Sequence, residues 1–188
     1  MQDIRSFLSA SPGIHSTRFF QAAWVVNDLE EAAERWARTF GVGPFYLFDG
    51  ITLDNLRYRG APAEMDFSAA LAQAGDLQIE LIRQGCDRPS AYRDLYAPGE
   101  QGFHHVGVLA EDFDAEVAAY RNQGFAAAAE GAVGPMRFTY IDTSPMTGFM
   151  IEVMEANEPF QQAFAEIARS SQGWDGNRPI RSQADLGF

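Results

Sequence analysis

The stretch "FFQAAWVVNDLEEAAERWARTFG", residues 19–41, returns 84 residues later as "FHHVGVLAEDFDAEVAAYRNQGF", residues 103–125. Each copy runs from an apolar, aromatic segment into an Asp followed by a helical pattern. Each also sets a side chain able to bind metal seven residues before that Asp: Gln21 before Asp28, and His105 before Asp112. In the first copy, Phe19 to Val26 reads as a strand. Asp28 caps a helix, and Glu31 three residues on completes a capping-box pattern. Leu29, Ala32, Ala33, Trp36 and Phe40 then fall at helical spacing, and Gly41 stops the run. In the second copy, Phe103 to Leu109 is the strand. Asp112 heads a helix with Phe113, Val117 and Tyr120 on one face, and Gly124 ends it. Repetition of a whole supersecondary unit predicts two similar modules packed together.

Working outward, "GPFYLF", "ITLDNLRYRG" and "DLQIELI" supply strands separated by Gly-, Asp- and Pro-containing turns. Residues 19–85 therefore read as a first β-α-β-β-β module. Residues 86–102 are rich in turn formers and read as a connector. Residues 103–156 form the second module, with "PMRFTYIDT" and "GFMIEVME" as its later strands. Residues 1–18 read as an N-terminal extension. Residues 157–188 read as a helix bearing Phe160, Phe164 and Ile167, then a tail with Trp174, Ile180 and Leu186 as anchors. That helix face and the tail offer more apolar surface than a two-module core needs, which predicts a homodimer.

Composition narrows the function. Fourteen Lys and Arg stand against 26 Asp and Glu, a net charge of −12. That balance argues against nucleic-acid phosphates and anionic membrane surfaces as partners. A single cysteine, Cys86, excludes an internal disulfide and fits a reducing compartment. There is neither a signal-peptide pattern nor an apolar run of membrane-spanning length. The expectation is a soluble, cytoplasmic protein acting on a small molecule.

Strand alternation then decides which side chains converge. In "LQIELI", Leu77, Ile79 and Leu81 share one face, and Gln78, Glu80 and Ile82 the other. In "FMIEVM", Ile151 and Val153 oppose Met150, Glu152 and Met154. With the apolar faces on the helices, Glu80 and Glu152 point to the opposite, concave side. Gln21 and His105 are repeat-equivalent and point alike, so a pseudo-twofold brings all four together. Of the two adjacent histidines only one is expected to face the cup, and the spacing to Asp112 selects His105. Phe138 and Tyr140 share a strand face and are candidates to line the pocket. Arg57, Arg59 and Arg88 read as salt-bridging surface residues, and Cys86 as a free thiol.

Both copies resemble the βαβββ module of the vicinal oxygen chelate superfamily, which includes glyoxalase I, methylmalonyl-CoA epimerase, extradiol dioxygenases and bleomycin-resistance proteins. The likeness rests on the strand start, the Asp-capped helix and the closing "IE" strand ("QIELI", "MIEVM"), twice and in order. It implies an α+β fold in which two modules pair into a cupped mixed sheet, with a C-terminal helix and tail added. It also implies a divalent metal held by the first and last strand of each module, here Gln21, Glu80, His105 and Glu152. The order Gln, Glu, His, Glu resembles the glyoxalase I set. It departs from the epimerase pattern, which has His first and Gln second, and from the two-His, one-Glu set of the dioxygenases. Such an N/O site suits Zn, Ni, Co, Mn or Fe(II). The implied activity is that of a lyase or isomerase removing a proton beside a metal-bound carbonyl, with Glu152 as base and Glu80 as its partner on the opposite face. The alternatives are a ligand-sequestering protein of the bleomycin-resistance type and a ring-cleaving dioxygenase.

Overall fold

The computed structural model describes residues 19–187. The N-terminal extension, with His15, lies outside the described residues. The first copy of the repeat forms β1 (Phe19–Val25) and α1 (Leu29–Phe40). Asp28 caps α1 by accepting the Glu31 N–H at 2.9 Å, a contact that contributes about 1 kcal/mol. The Glu31 carboxylate does not complete the box; it pairs with Arg35 one turn on. Gly41 closes the helix in the left-handed region, φ 67°, where a Cβ would be strained. The chain continues through β2 (Phe45–Phe48), β3 (Asp54–Tyr58), β4 (Ala61–Pro62), β5 (Phe67–Ala74), β6 (Leu77–Gln84) and a short α2 (Ala91–Leu95). The second copy forms β7 (Gly102–Ala110) and α3 (Phe113–Asn122), capped by Asp112 on the Ala115 N–H at 3.0 Å. Then come β8 (Ala127–Val133), β9 (Met136–Ile141), α4 (Ser144–Thr147), β10 (Met150–Glu155), α5 (Glu158–Ser171) and β11 (Ile180–Ser182).

These strands make one mixed sheet in the order β11-β2-β5-β6-β1-β7-β10-β9-β8-β3-β4. The order is symmetric about its middle. β1 pairs antiparallel with β7, and each also pairs in parallel with the last strand of its own half, β6 or β10. Antiparallel neighbours follow on both sides. The fold is α+β, two βαβββ units paired into one cupped sheet.

Three expectations about strands need correction. "ITLDNLRYRG" is not the middle of the first unit. Its β3 crosses to the far edge and pairs antiparallel with β8, where Arg59 bridges Asp94 and Asp142 at 2.7 Å each. The place in the first unit is taken by β5, the counterpart of β9, and β8, the counterpart of β2, is likewise a strand that the sequence reading passed over. Both are Ala-rich ("FSAALAQA", "AAAEGAV") and carry little strand propensity of their own. The tail, finally, adds β11 in parallel to β2. Trp174 covers Gly43, where a Cβ would stand 2.7 Å from its ring, and Leu186 is buried beside Ile167.

The faces of the sheet bear out the alternation. Ile79, Leu81 and Phe45 pack beneath α1, and Val108, Ile151 and Val153 beneath α3. Burial of each such side chain contributes about 1.5–3 kcal/mol. The opposite face carries Phe67, Ile82, Phe138, Tyr140, Met150 and Met154. Phe160 packs against that face, and Ile167 is fully buried with Tyr46 and Leu71. Of the α5 side chains read as a dimer surface, Ile167 is buried within the chain, while Phe160 and Phe164 are half-buried and line the cavity. No helix among the described residues is long and apolar enough to cross a membrane.

Candidate metal centre and cavity

Gln21, Glu80, His105 and Glu152 come from β1, β6, β7 and β10, the four central strands, and all four are buried. His105 Nε2 lies 3.2 Å from Glu152 Oε2 and 3.4 Å from Glu80 Oε2. One ligand atom from each of these three residues fits within 4.8 Å of the others. Gln21 is oriented from beneath. Its Nε2 donates to Gln78 Oε1 at 2.8 Å, so its carbonyl oxygen is the end left over. Gly107, opposite Gln21 in the β1–β7 register, leaves room for that amide: a Cβ there would stand 2.9 Å from Gln21 Oε1.

His104 does not behave as strand alternation predicts. The β1–β7 register slips between Ala23↔His105 and Trp24↔Phe103, leaving His104 as the extra residue of a bulge. Both histidines therefore reach the cup side. His104 is fully buried between Tyr92 and Tyr140, with ring centroids 4.9 and 5.7 Å away. Its Nε2 lies 3.0 Å from the Ala91 carbonyl oxygen. A carbonyl only accepts, so His104 Nε2 carries the proton. Burial, with His105 alongside, pushes the His104 pKa down to about 3, and the neutral ring has a lone pair on Nδ1. His105 Nδ1, 3.0 Å away, then donates to it. His105 Nε2 is thereby the nitrogen presented to the two carboxylates, the arrangement by which an outer partner orients a metal-binding imidazole.

The electrostatics describe a site that wants a cation. Burial alone would lower the His105 pKa, but Glu152 and Glu80 outweigh it and raise it to about 9. Burial pushes Glu80 up against the pull of His105. Gln21 Oε1, Glu80 Oε2 and His105 Nε2 are all buried without a hydrogen-bond partner. Each such atom costs about 1–3 kcal/mol if left so. A proton on His105 relieves part of that cost; a divalent ion among three oxygens and one nitrogen relieves all of it. The residues present fit such an ion.

The cluster opens into a cavity of about 620 Å³, the size of a small-molecule site. Gln21, Glu80 and Glu152 line it, as do Phe138 and Tyr140. Tyr140 is the cross-strand neighbour of Glu152, and its hydroxyl meets that of Tyr92 at 3.0 Å. Burial, then the nearby glutamates, raises both phenols well above their ordinary value, so both stay protonated. Tyr92 arrives on α2, within the segment read as a connector, and His104 through a bulge; neither carries a local signal. Gln78 does carry one, since alternation sets it on the same face as Glu80. Arg57, Arg59 and Arg88 pair with acidic residues, as a surface reading expects.

The sequence matches the family model described as "Glyoxalase/Bleomycin resistance protein/Dioxygenase superfamily" over residues 20–140, more than half of the chain. No curated protein matches it. Among solved structures, methylmalonyl-CoA epimerase from Mycobacterium tuberculosis superposes with a TM-score of 0.53 at 16% identity, covering 81% of this chain and 97% of that one. The hypothetical protein BH1468 from Bacillus halodurans C-125 superposes with a TM-score of 0.54 at 12% identity, covering 75% and 95%. At such identities the likeness is one of fold. With the family match and the paired βαβββ units in agreement, the chain belongs to the glyoxalase/bleomycin resistance/dioxygenase superfamily, the vicinal oxygen chelate proteins.

Proposed function

We propose that the protein is a metal-dependent lyase or isomerase that moves a proton beside a carbonyl of a small substrate. The observation that carries this reading is the buried Glu80–His105–Glu152 group at the cavity, with unpartnered donor atoms and Gln21 Oε1 beside it. Gln21, Glu80, His105 and Glu152 would hold the ion, and three oxygens with one nitrogen suit Zn, Ni, Co, Mn or Fe(II). When bound, the ion polarises the carbonyl and lowers the cost of negative charge on its oxygen.

The chain's own residues supply the rest. Glu80 and Glu152 stand on opposite sides of His105, on pseudo-symmetric strands. Glu152 takes the proton from the substrate carbon, and Glu80 returns one on the other face. His104 holds His105 in its tautomer, and Gln78 holds Gln21. The aromatic walls exclude water, which strengthens each of these interactions. A ring-cleaving dioxygenase is disfavoured by the donor set. Oxygen-activating iron suits two histidines and one carboxylate, and His104 has both nitrogens engaged elsewhere.

The test is solvent deuterium incorporation at the carbon beside the carbonyl of hydroxyketones, thioesters and 2-oxoaldehyde–thiol adducts, with metal-loaded protein. Exchange that falls in Glu152→Ala, while binding persists, is expected. Tight binding with neither exchange nor turnover would transfer the protein to the ligand-sequestering class.

A further inference from the structure

The cavity is as informative in what it omits as in what it holds. Its walls are built from Phe67, Met136, Phe138, Met154, Phe160 and Phe164, with others of the same character. None of the residues lining it is Lys, Arg or His, and its three charged members, Asp49, Glu80 and Glu152, are all acidic. All fourteen basic residues of the chain are arginines, and none among the described residues lines the cavity. Arg59 bridges Asp94 and Asp142, while Arg93, which reaches the Cys86 carbonyl, and Arg181, which lies over Tyr46, stay outside the lining with their Nε atoms unpartnered. A bound divalent ion would be offset by Glu80 and Glu152 and would leave Asp49, so the lining would still carry no net positive charge.

An anionic substrate would meet no positive partner there. Burying a carboxylate or phosphate without one is costly, and like charges brought together repel. The net charge of −12 adds a repulsive field outside. The polar groups of the lining are otherwise uncharged, among them Tyr92 and Tyr140 near the carboxylates and Gln162 and Gln183 from α5 and the tail. Five phenylalanines line the remainder, offering faces and edges to a ring.

We infer that the substrate is an uncharged, largely apolar, ring-bearing molecule that brings one carbonyl-containing end to the Glu80–Glu152 pair, and that it is neither an acyl-CoA thioester nor a glutathione adduct. This rests on the function proposed above for the choice of the carbonyl end, while the exclusion of anions rests on the cavity alone. Phosphates in the one conjugate and free carboxylates in the other are the groups this cavity has nothing to receive.

The probes are benzoin, a neutral hydroxyketone with an exchangeable proton beside its carbonyl, its ring-substituted 4-carboxylate, and phenylacetyl-CoA. Binding to the full-length, metal-loaded protein is measured by calorimetry, with metal content and deuterium exchange read on the same preparations. Benzoin is expected to bind at least about tenfold more tightly than its carboxylate, with phenylacetyl-CoA weaker still. In Leu53→Arg, which places a cation at the cavity wall, that preference is expected to narrow or reverse. Equal affinity, tighter binding of either anion, or no binding of benzoin at millimolar concentration would overturn the inference. Benzoin preference in a protein that holds no metal and exchanges no proton would leave the inference standing and remove the proposed function instead.

Discussion

The two halves of the molecule share a scaffold and differ in what they place on it. Gln21 and His105 sit at the same point of their strands, opposite Gln78 and Met150 in the parallel registers. Both strands slip by one residue there, at Phe20 in the first half and His104 in the second. The same bulge thus admits a phenylalanine to the apolar wall on one side and, on the other, an imidazole to the network behind His105. Of the four candidate ligands, only Glu80 and Glu152 are alike in the two halves. The duplication therefore supplies paired carboxylates and matching backbone, while two substitutions at one bulge convert a symmetric cup into a directional site.

Making one half copy the other tests this account. His105→Gln gives both halves the same amide and removes the only imidazole that faces the carboxylates among the described residues. Metal affinity is expected to fall by more than the ~100-fold that loss of an outer partner can cost, measured by competition with a chelator. His104→Phe copies the first half's bulge. His105 then loses the acceptor for its Nδ1–H, and affinity is expected to fall about 10–100-fold while the circular dichroism spectrum stays native; unchanged affinity would reduce His104 to a core residue. Asp28→Ala and Asp112→Ala remove equivalent caps, one in each half. Each is expected to cost about 1 kcal/mol in urea unfolding, without change in metal content. Arg59→Ala loosens the tie between the crossed strand and the second half. Partial exposure limits that loss to about 1 kcal/mol or less.

The sequence made some of this contrast legible and hid the rest for physical reasons. Alternation in "LQIELI" and "FMIEVM" sufficed to turn Glu80 and Glu152 into the cup, because both strands are regular and their other faces are strongly apolar. Helix caps were equally plain, since Asp28 and Asp112 act on backbone three residues away. β5 and β8 were not legible as strands. Alanine favours helices, and here it is selected because its small side chain lets α1 approach, with Ala70 and Ala72 fully buried beneath it. The crossing of β3 was hidden because Asp54–Tyr58 reads the same whichever edge it joins. His104 was misread because a bulge is a property of pairing, not of one strand. Tyr92 was passed over because a turn-rich segment gives no sign of what its short helix delivers.

The central claim is that the two halves close one metal site between them. Elemental analysis of the purified protein tests it most directly, comparing the wild type with Glu80→Ala, Glu152→Ala and the double variant. The account predicts roughly one divalent ion per chain in the wild type, a large loss in each single variant and no bound ion in the double variant. Metal content unchanged by removal of both carboxylates would contradict it.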